Sequence, residues 1–258
     1  MAALPIDIPA DTLNAVNHGP FAFPGVHTYM ITIKTEPEKL QQLVPSPLVA
    51  NSDGLFVIVV AQYLNGVETP TERIAGYNEV VLVVPATYTH PDGRRERGGY
   101  TVALYLADRE PQSVCDPTVL GLMLPGYPKR TCVWQESVRD GRRHLRIARR
   151  NVDVLDMVIV DAEPQPLPPN TGSGGANFVL KYVPSINRNI AADVLKLNAV
   201  RGGGGMTHAA PVEVAFNSQN VRLDSGIVLP VLGVLSAIRG YMDMGNGDES
   251  EELIDYLA

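Results

Sequence analysis

Apolar and polar residues alternate with a period of two along much of the chain, and few stretches carry the spacing of an amphipathic helix. His27, Tyr29, Ile31 and Ile33 alternate with Thr28, Met30 and Thr32, which predicts a strand with the first set facing inward. Leu55 to Tyr63 is apolar almost throughout and predicts a strand buried on both faces. Gly76 to Tyr88 and Gly99 to Ala107 predict a long hairpin, joined through the turn signature His90-Pro91-Asp92-Gly93 and the charged cluster from Arg94 to Arg97. Thr131 to Val138 and His144 to Arg150 flank Asp140-Gly141, the strongest short hairpin signal in the chain. Val152 to Val160 fits a strand or a short helix. Phe178 to Pro184, Asp193 to Arg201, Pro211 to Phe216 and Ile227 to Met244 predict further strands, the last bending at Pro230 or Gly233.

Helical patterns are short. One runs from Glu36 to Leu43 behind Thr35 as N-cap, and one opens at Asp116-Pro117 and runs to about Met123. Residues 1–18 read as an arm, Gly66 to Arg73 and Pro164 to Gly175 as loops, and 245–258 as an acidic tail with a helical turn from Leu253 to Leu257. No repeat or sustained heptad interrupts this pattern, so residues 1–258 read as a single mainly β domain.

Composition sharpens that reading. The 23 glycines and 21 prolines of this 258-residue chain favour many turns and short strands. A net charge of −7 argues against partnership with nucleic acid or an acidic membrane surface. The two cysteines, Cys115 and Cys132, imply no disulfide framework. Met1 to Asp7 lacks the basic-then-apolar pattern of a signal peptide, and the longest apolar run, Ile227 to Ile238, is broken by Pro230 and Gly233. A cytoplasmic location is therefore the expectation.

The stretch of greatest chemical interest is Leu124-Pro125-Gly126-Tyr127-Pro128-Lys129-Arg130. An ordinary lysine, with a pKa of about 10.4, is neutral in only roughly one molecule in 2,500 at pH 7. Desolvation or a second cation lowers that pKa, and Lys129 beside Arg130 in an apolar cavity offers both. The plain alternative is a solvated basic pair after a turn. Glu79, directly before the apolar run Val80-Val81-Leu82, must face a cavity, a partner or solvent. Gly202 to Gly205 lacks the Lys-Ser/Thr of a phosphate loop and reads as a flexible hairpin loop. The five histidines have no metal-helix spacing, and His27 and His208 read as structural or exposed. No Gly-x-Ser-x-Gly elbow is present, and Cys132 in a strand pattern reads as an inert thiol.

Several of these segments together resemble the acetoacetate decarboxylase family. Tyr127-Pro128-Lys129-Arg130 resembles its Tyr-Pro-Lys-Lys signature, and Tyr105 to Pro111 its Tyr-Leu-Asp-x-Glu-Pro segment. Gly19-Pro20-Phe21-x-Phe23, Val44-Pro45-Ser46-Pro47-Leu48 and Phe178 to Pro184 match further family motifs, and Gly76-Tyr77-Asn78-Glu79 falls where the family carries its active-site glutamate. The resemblance implies a cone-shaped β-barrel with a few short helices, a homo-oligomer, and lyase chemistry that needs no cofactor or metal. Lys129 would be the nucleophile that forms an imine (Schiff base) with a small keto substrate, and a β-keto acid would be decarboxylated. Glu79 and Arg130 would be its catalytic partners, with Arg130 in place of a second lysine. Tyr127 and His27 are the candidate substrate-binding residues. An ungapped match places Val26, next to His27, where decarboxylases carry an arginine, and the run from Leu55 to Val60 lacks their second glutamate. An imine also serves aldol, dehydration or cyclisation chemistry, and a non-catalytic binding barrel is the remaining alternative.

Overall fold

The computed structural model describes residues 21–68, 73–74, 76–108, 128–162, 175–185, 192–201, 206–246 and 249–257. The expected N-terminal arm, the helix from Asp116, Tyr127, nearly all of the Pro164–Gly175 loop and the Gly202–Gly205 loop lie outside these residues.

The chain opens with β1 (Phe21–Lys34), then a single described helix, α1 (Pro37–Gln41). Glu36 rather than Thr35 is its N-cap, Pro37 starts it, and Leu40 is its buried anchor. Next come β2 (Val49–Ala50), β3 (Leu55–Gln62), β4 (Val67–Glu68), β5 (Arg73–Ile74), β6 (Tyr77–Thr89) and β7 (Arg95–Asp108). After these follow β8 (Lys129–Thr131), β9 (Val133–Arg139), β10 (Arg142–Arg149), β11 (Val152–Asp161), β12 (Ala176–Pro184) and β13 (Ala192–Arg201). The last are β14 (Met206–Phe216), β15 (Asn220–Arg222), β16 (Val228–Pro230), β17 (Gly233–Asn246) and β18 (Glu249–Asp255).

The mainly β expectation holds. Asp140 and Gly141, at φ 51° and 73°, make the tight turn between β9 and β10, where Asp-Gly tolerates left-handed backbone. The β6–β7 hairpin forms as expected, with β7 running from Arg95 through the charged cluster. The last long apolar run does break after Pro230, dividing β16 from β17. Other segments differ from their expectation. The Gly66–Arg73 segment carries the paired strands β4 and β5 at its ends. Leu253 to Leu257 is mostly strand, because β18 pairs antiparallel with β13 and Lys196 bridges both Glu252 and Asp255. Among the described residues the sheet is not a closed barrel: its hydrogen-bonded order is β18-β13-β12-β7-β6-β3-β1-β17-β14-β11-β10-β9, and its two ends are not paired with each other.

Strand alternation divides the buried side chains between two faces. Tyr29, Ile31 and Ile33 of β1 face inward as expected and pack with Ile58, Leu82, Ile147 and Met157 in the main core. The opposite face of the same strands carries a second, smaller cluster that includes Val26, Ala61, Tyr63, Tyr77, Leu104, Leu106 and Met242. β3 is consequently buried on both faces only from Val60 to Gln62, and Leu55, Val57 and Val59 are half-buried. No described helix is long and apolar enough to cross a membrane.

Candidate active site

The second cluster surrounds Lys129. The edge of β7 accepts β12 in parallel near Gly98–Tyr100 and β8 in parallel further along, with Lys129 beside Leu104, Arg130 beside Tyr105 and Thr131 beside Leu106. Neighbours in register share a face, so Lys129 enters the cluster with Leu104 and Leu106, while Arg130 turns to the other side with Tyr105. The Lys129 Nζ is buried, has no hydrogen-bond partner among the described residues, and lies 5.9 Å from the centre of the Tyr77 ring. Burial lowers its pKa to about 8, and Glu79 pulls in the opposite direction.

Glu79 reaches this face from β6, two residues after Tyr77. It is 6% exposed, which decides that it faces the cluster rather than solvent. Burial raises its pKa, and the Lys129 charge and a hydrogen bond from Tyr63 moderate the rise. The Tyr63 hydroxyl donates to Glu79 Oε1 at 3.3 Å, and its ring stacks on Tyr77 with centroids 4.2 Å apart. Burial holds both phenols well above their ordinary pKa, so both remain neutral. Gly76 makes this stacking possible: a Cβ there would lie 2.0 Å from the Tyr63 carbonyl oxygen. Tyr63 and Tyr77 were not singled out from sequence, although Tyr77 and Glu79, two apart on one strand, had to share a face.

The structure thus brings Lys129 and Glu79 together and leaves Arg130 and His27 elsewhere. Arg130 pairs with Asp224, which also accepts from Arg149 Nε at 2.9 Å and from the Tyr105 hydroxyl at 3.1 Å. Burial pushes the Asp224 carboxyl up, but Arg149, Arg130 and Tyr105 outweigh it and hold the carboxyl below its usual range. The depressed Lys129 pKa therefore arises from desolvation and not from the adjacent guanidinium, correcting the paired-cation expectation. Alternation places His27 on the main-core face, opposite to Glu79, where Nδ1 meets Gln62 Oε1 at 3.1 Å and the ring contacts Tyr29 and Tyr241. His27 is thus separated from Lys129 by the sheet itself. Cys132 is half-buried, and burial pushes its thiol up to about 12, leaving it inert at neutral pH. Among the described residues no group of His, Cys, Asp and Glu could hold a metal ion.

Two tests follow from this division of faces. Arg130→Met is expected to leave the Lys129 pKa near 8, as read from amine acylation rate against pH. Asp224→Asn is expected to cost about 2 kcal/mol of stability at neutral pH, the scale of hydrogen bonds to a charged group. Because the folded carboxyl titrates below its unfolded value, this contribution is present above the usual carboxylate range and disappears as pH falls through the folded pKa. Urea melts of the variant and the wild type at neutral and acid pH measure it.

The site is thus a buried lysine beside a buried carboxyl on a mainly β scaffold. The chain belongs to the acetoacetate decarboxylase (ADC) family, whose model matches residues 4–248. The acetoacetate decarboxylase of Burkholderia cenocepacia is 24% identical over 269 residues, covering 99% of this chain and 95% of that protein. The crystal structure of an acetoacetate decarboxylase from Legionella pneumophila superposes with a TM-score of 0.70 at 18% identity, covering 93% of this chain and 89% of that one. The enduracididine biosynthesis enzyme MppR, complexed with the condensation product of pyruvate and imidazole 4-carboxaldehyde, superposes with a TM-score of 0.64 at 15% identity, covering 92% and 90%. The two structural matches are likenesses of fold. Family membership makes the protein an acetoacetate decarboxylase-like enzyme of lyase type.

Proposed function

We propose that the protein decarboxylates a β-keto acid through an imine on Lys129. The observation that carries this reading is the buried Nζ, without a hydrogen-bond partner among the described residues and with its pKa lowered to about 8. At pH 7 about one such amine in ten is neutral, against roughly one in 2,500 for a free lysine.

The amine lone pair adds to the keto carbon, and the carbonyl oxygen leaves as water after proton transfer. The protonated imine then accepts the electron pair of the bond to the carboxylate carbon, releasing carbon dioxide and leaving an enamine. Protonation of the enamine carbon and attack by water return the ketone and the free lysine. Glu79, buried beside Lys129 with a raised pKa, is suited to hold and move the proton in these steps.

Two features favour a second reading, an aldol or dehydration reaction on the same imine. Val26 is fully buried in the cluster, and Ala61 stands directly opposite Glu79 on the neighbouring strand, so neither position offers a charged grip for a carboxylate. The fold is also shared by MppR, complexed with a condensation product of pyruvate. Carbon dioxide release separates the readings. Stoichiometric release from acetoacetate or a longer β-keto acid, lost in Lys129→Ala, supports decarboxylation. Carbon–carbon bond formation or cleavage without carbon dioxide release would replace it with the aldol reading.

A further inference from the structure

Near the turn of the β6–β7 hairpin the short strand β2 pairs with β6, with Val49 in register with Thr87 and Thr87 with Arg97. A half-open cavity of about 360 Å³ lies here, lined chiefly by Asn51, Ser52, Asp53, Thr87, Arg95 and Arg97. That volume falls within the roughly 300–1,000 Å³ of small-molecule sites. Arg95 and Arg97, two apart on β7, share a face, while Glu96 turns to the other and meets His90 Nε2 at 3.0 Å. Among the described residues neither Arg95 nor Arg97 has an ion-pair partner. Thr87 is 5% exposed, and no side-chain hydrogen bond joins it to another described residue. Asp53 is the single carboxylate of the lining. Its Oδ1 accepts from the Leu55 backbone N–H at 3.2 Å, and Lys34 donates to its carbonyl oxygen. On a chain of net charge −7 the cavity is thus a local site of positive excess. Thr87 lies eight residues along β6 from Glu79, roughly 26 Å at ~3.3 Å per residue, so this site is separate from the one around Lys129.

We propose that this cavity binds a small phosphate monoester, with Arg95 and Arg97 on the phosphate oxygens and Asn51, Ser52 and Thr87 as neutral donors around them. A phosphate monoester carries about −1.5 to −2 charges at pH 7, which two guanidiniums match, whereas a single carboxylate would leave one of them uncompensated. The planar fork of arginine also fits phosphate with two parallel hydrogen bonds. The cavity is larger than a phosphate group, so the body of the ester enters with it. Asp53 accepts hydrogen bonds and repels a second anion, which selects a neutral, hydroxylated body. This inference is independent of the imine reading.

The test is titration calorimetry of the full chain at low ionic strength with glucose 6-phosphate, inorganic phosphate and gluconate, the last a carboxylate of similar body. Glucose 6-phosphate is expected to bind most tightly and to weaken as salt is added. Arg95→Met and Arg97→Met should each weaken it about tenfold or more, the scale of a hydrogen bond to a charged group, and the double variant should abolish binding. Ser52→Glu, which adds a negative charge and leaves both arginines in place, should abolish it as well. All three positions are exposed, so thermal melts of these variants are expected to match the wild type. Absence of binding at millimolar glucose 6-phosphate, or unchanged binding in the double variant and in Ser52→Glu, would overturn the site. Gluconate bound as tightly as glucose 6-phosphate would overturn its selectivity for phosphate, and inorganic phosphate bound as tightly would overturn the assignment of an ester.

Discussion

Lys129→Ala is expected to lower kcat/KM by at least ~10⁴-fold, the scale on which loss of a covalent nucleophile acts. Lys129→Arg should be equally inactive, since a guanidinium remains protonated and cannot form the imine. The loss will not be one of folding. In the native state Lys129 titrates near 8, below its ordinary value of 10.5, so burying the charged form opposes folding. That opposition is full at pH values below about 8 and is relieved as pH rises towards 10.5. An uncharged variant such as Lys129→Met should therefore unfold at the same temperature as the wild type or higher at pH 7, with its advantage shrinking in alkali. Thermal melts at pH 7 and pH 10 separate an inactive folded enzyme from a collapsed one.

Glu79→Gln is expected to reduce kcat by about 10²–10⁴-fold, the usual worth of a positioned proton-transfer group. It carries a second signature that a structural role would not produce. The Glu79 charge holds the Lys129 pKa up against desolvation, so removing it should move that pKa below 8. In the wild type kcat/KM should rise with pH through about 8 as the free amine appears, and in Glu79→Gln this limb should shift to lower pH. The two groups titrate as a coupled pair, so the profile reports the pair's values. Tyr63→Phe acts in the same relay from the other side: without the donated hydroxyl, the Glu79 carboxyl should titrate still higher. A pH–rate profile of each variant reads all three effects.

The parts of the molecule that were legible in sequence are those fixed by local patterning. Alternation placed Tyr29, Ile31 and Ile33 inward, Asp140-Gly141 marked its turn, and Pro230 marked the break before β17. What sequence did not reveal depends on distant partners. The acidic end forms β18 because β13, about fifty residues earlier, offers an edge and Lys196 offers a counter-charge. Arg130 is held by Asp224, a pairing across 94 residues of chain that no local pattern announces. Yet one consequence was available: once Lys129 and Arg130 lie on one strand, they must point to opposite faces, and only one can lie beside Glu79. The same rule separates His27 from Glu79, because the residue in register with Glu79 across β3 is Thr28, not His27.

This geometry also refines what makes the lysine reactive. The nearest cation in sequence is removed by a three-partner anchor around Asp224, and an aromatic and aliphatic enclosure remains. Burial lowers the Lys129 pKa to about 8 against the opposing charge of Glu79. Arg130, Asp224, Arg149 and Tyr105 fix β8 against β7 from the far side and so hold Lys129 in place.

An imine on Lys129 is tested most directly by reductive trapping and peptide mapping. The enzyme is incubated with a methyl ketone and borohydride, digested, and sequenced by mass spectrometry. One added group, of the ketone's mass less its oxygen atom, is expected on Lys129, with no label in Lys129→Ala. An unlabelled Lys129 in an enzyme that turns over its keto substrate, with full activity in Lys129→Ala, would contradict it.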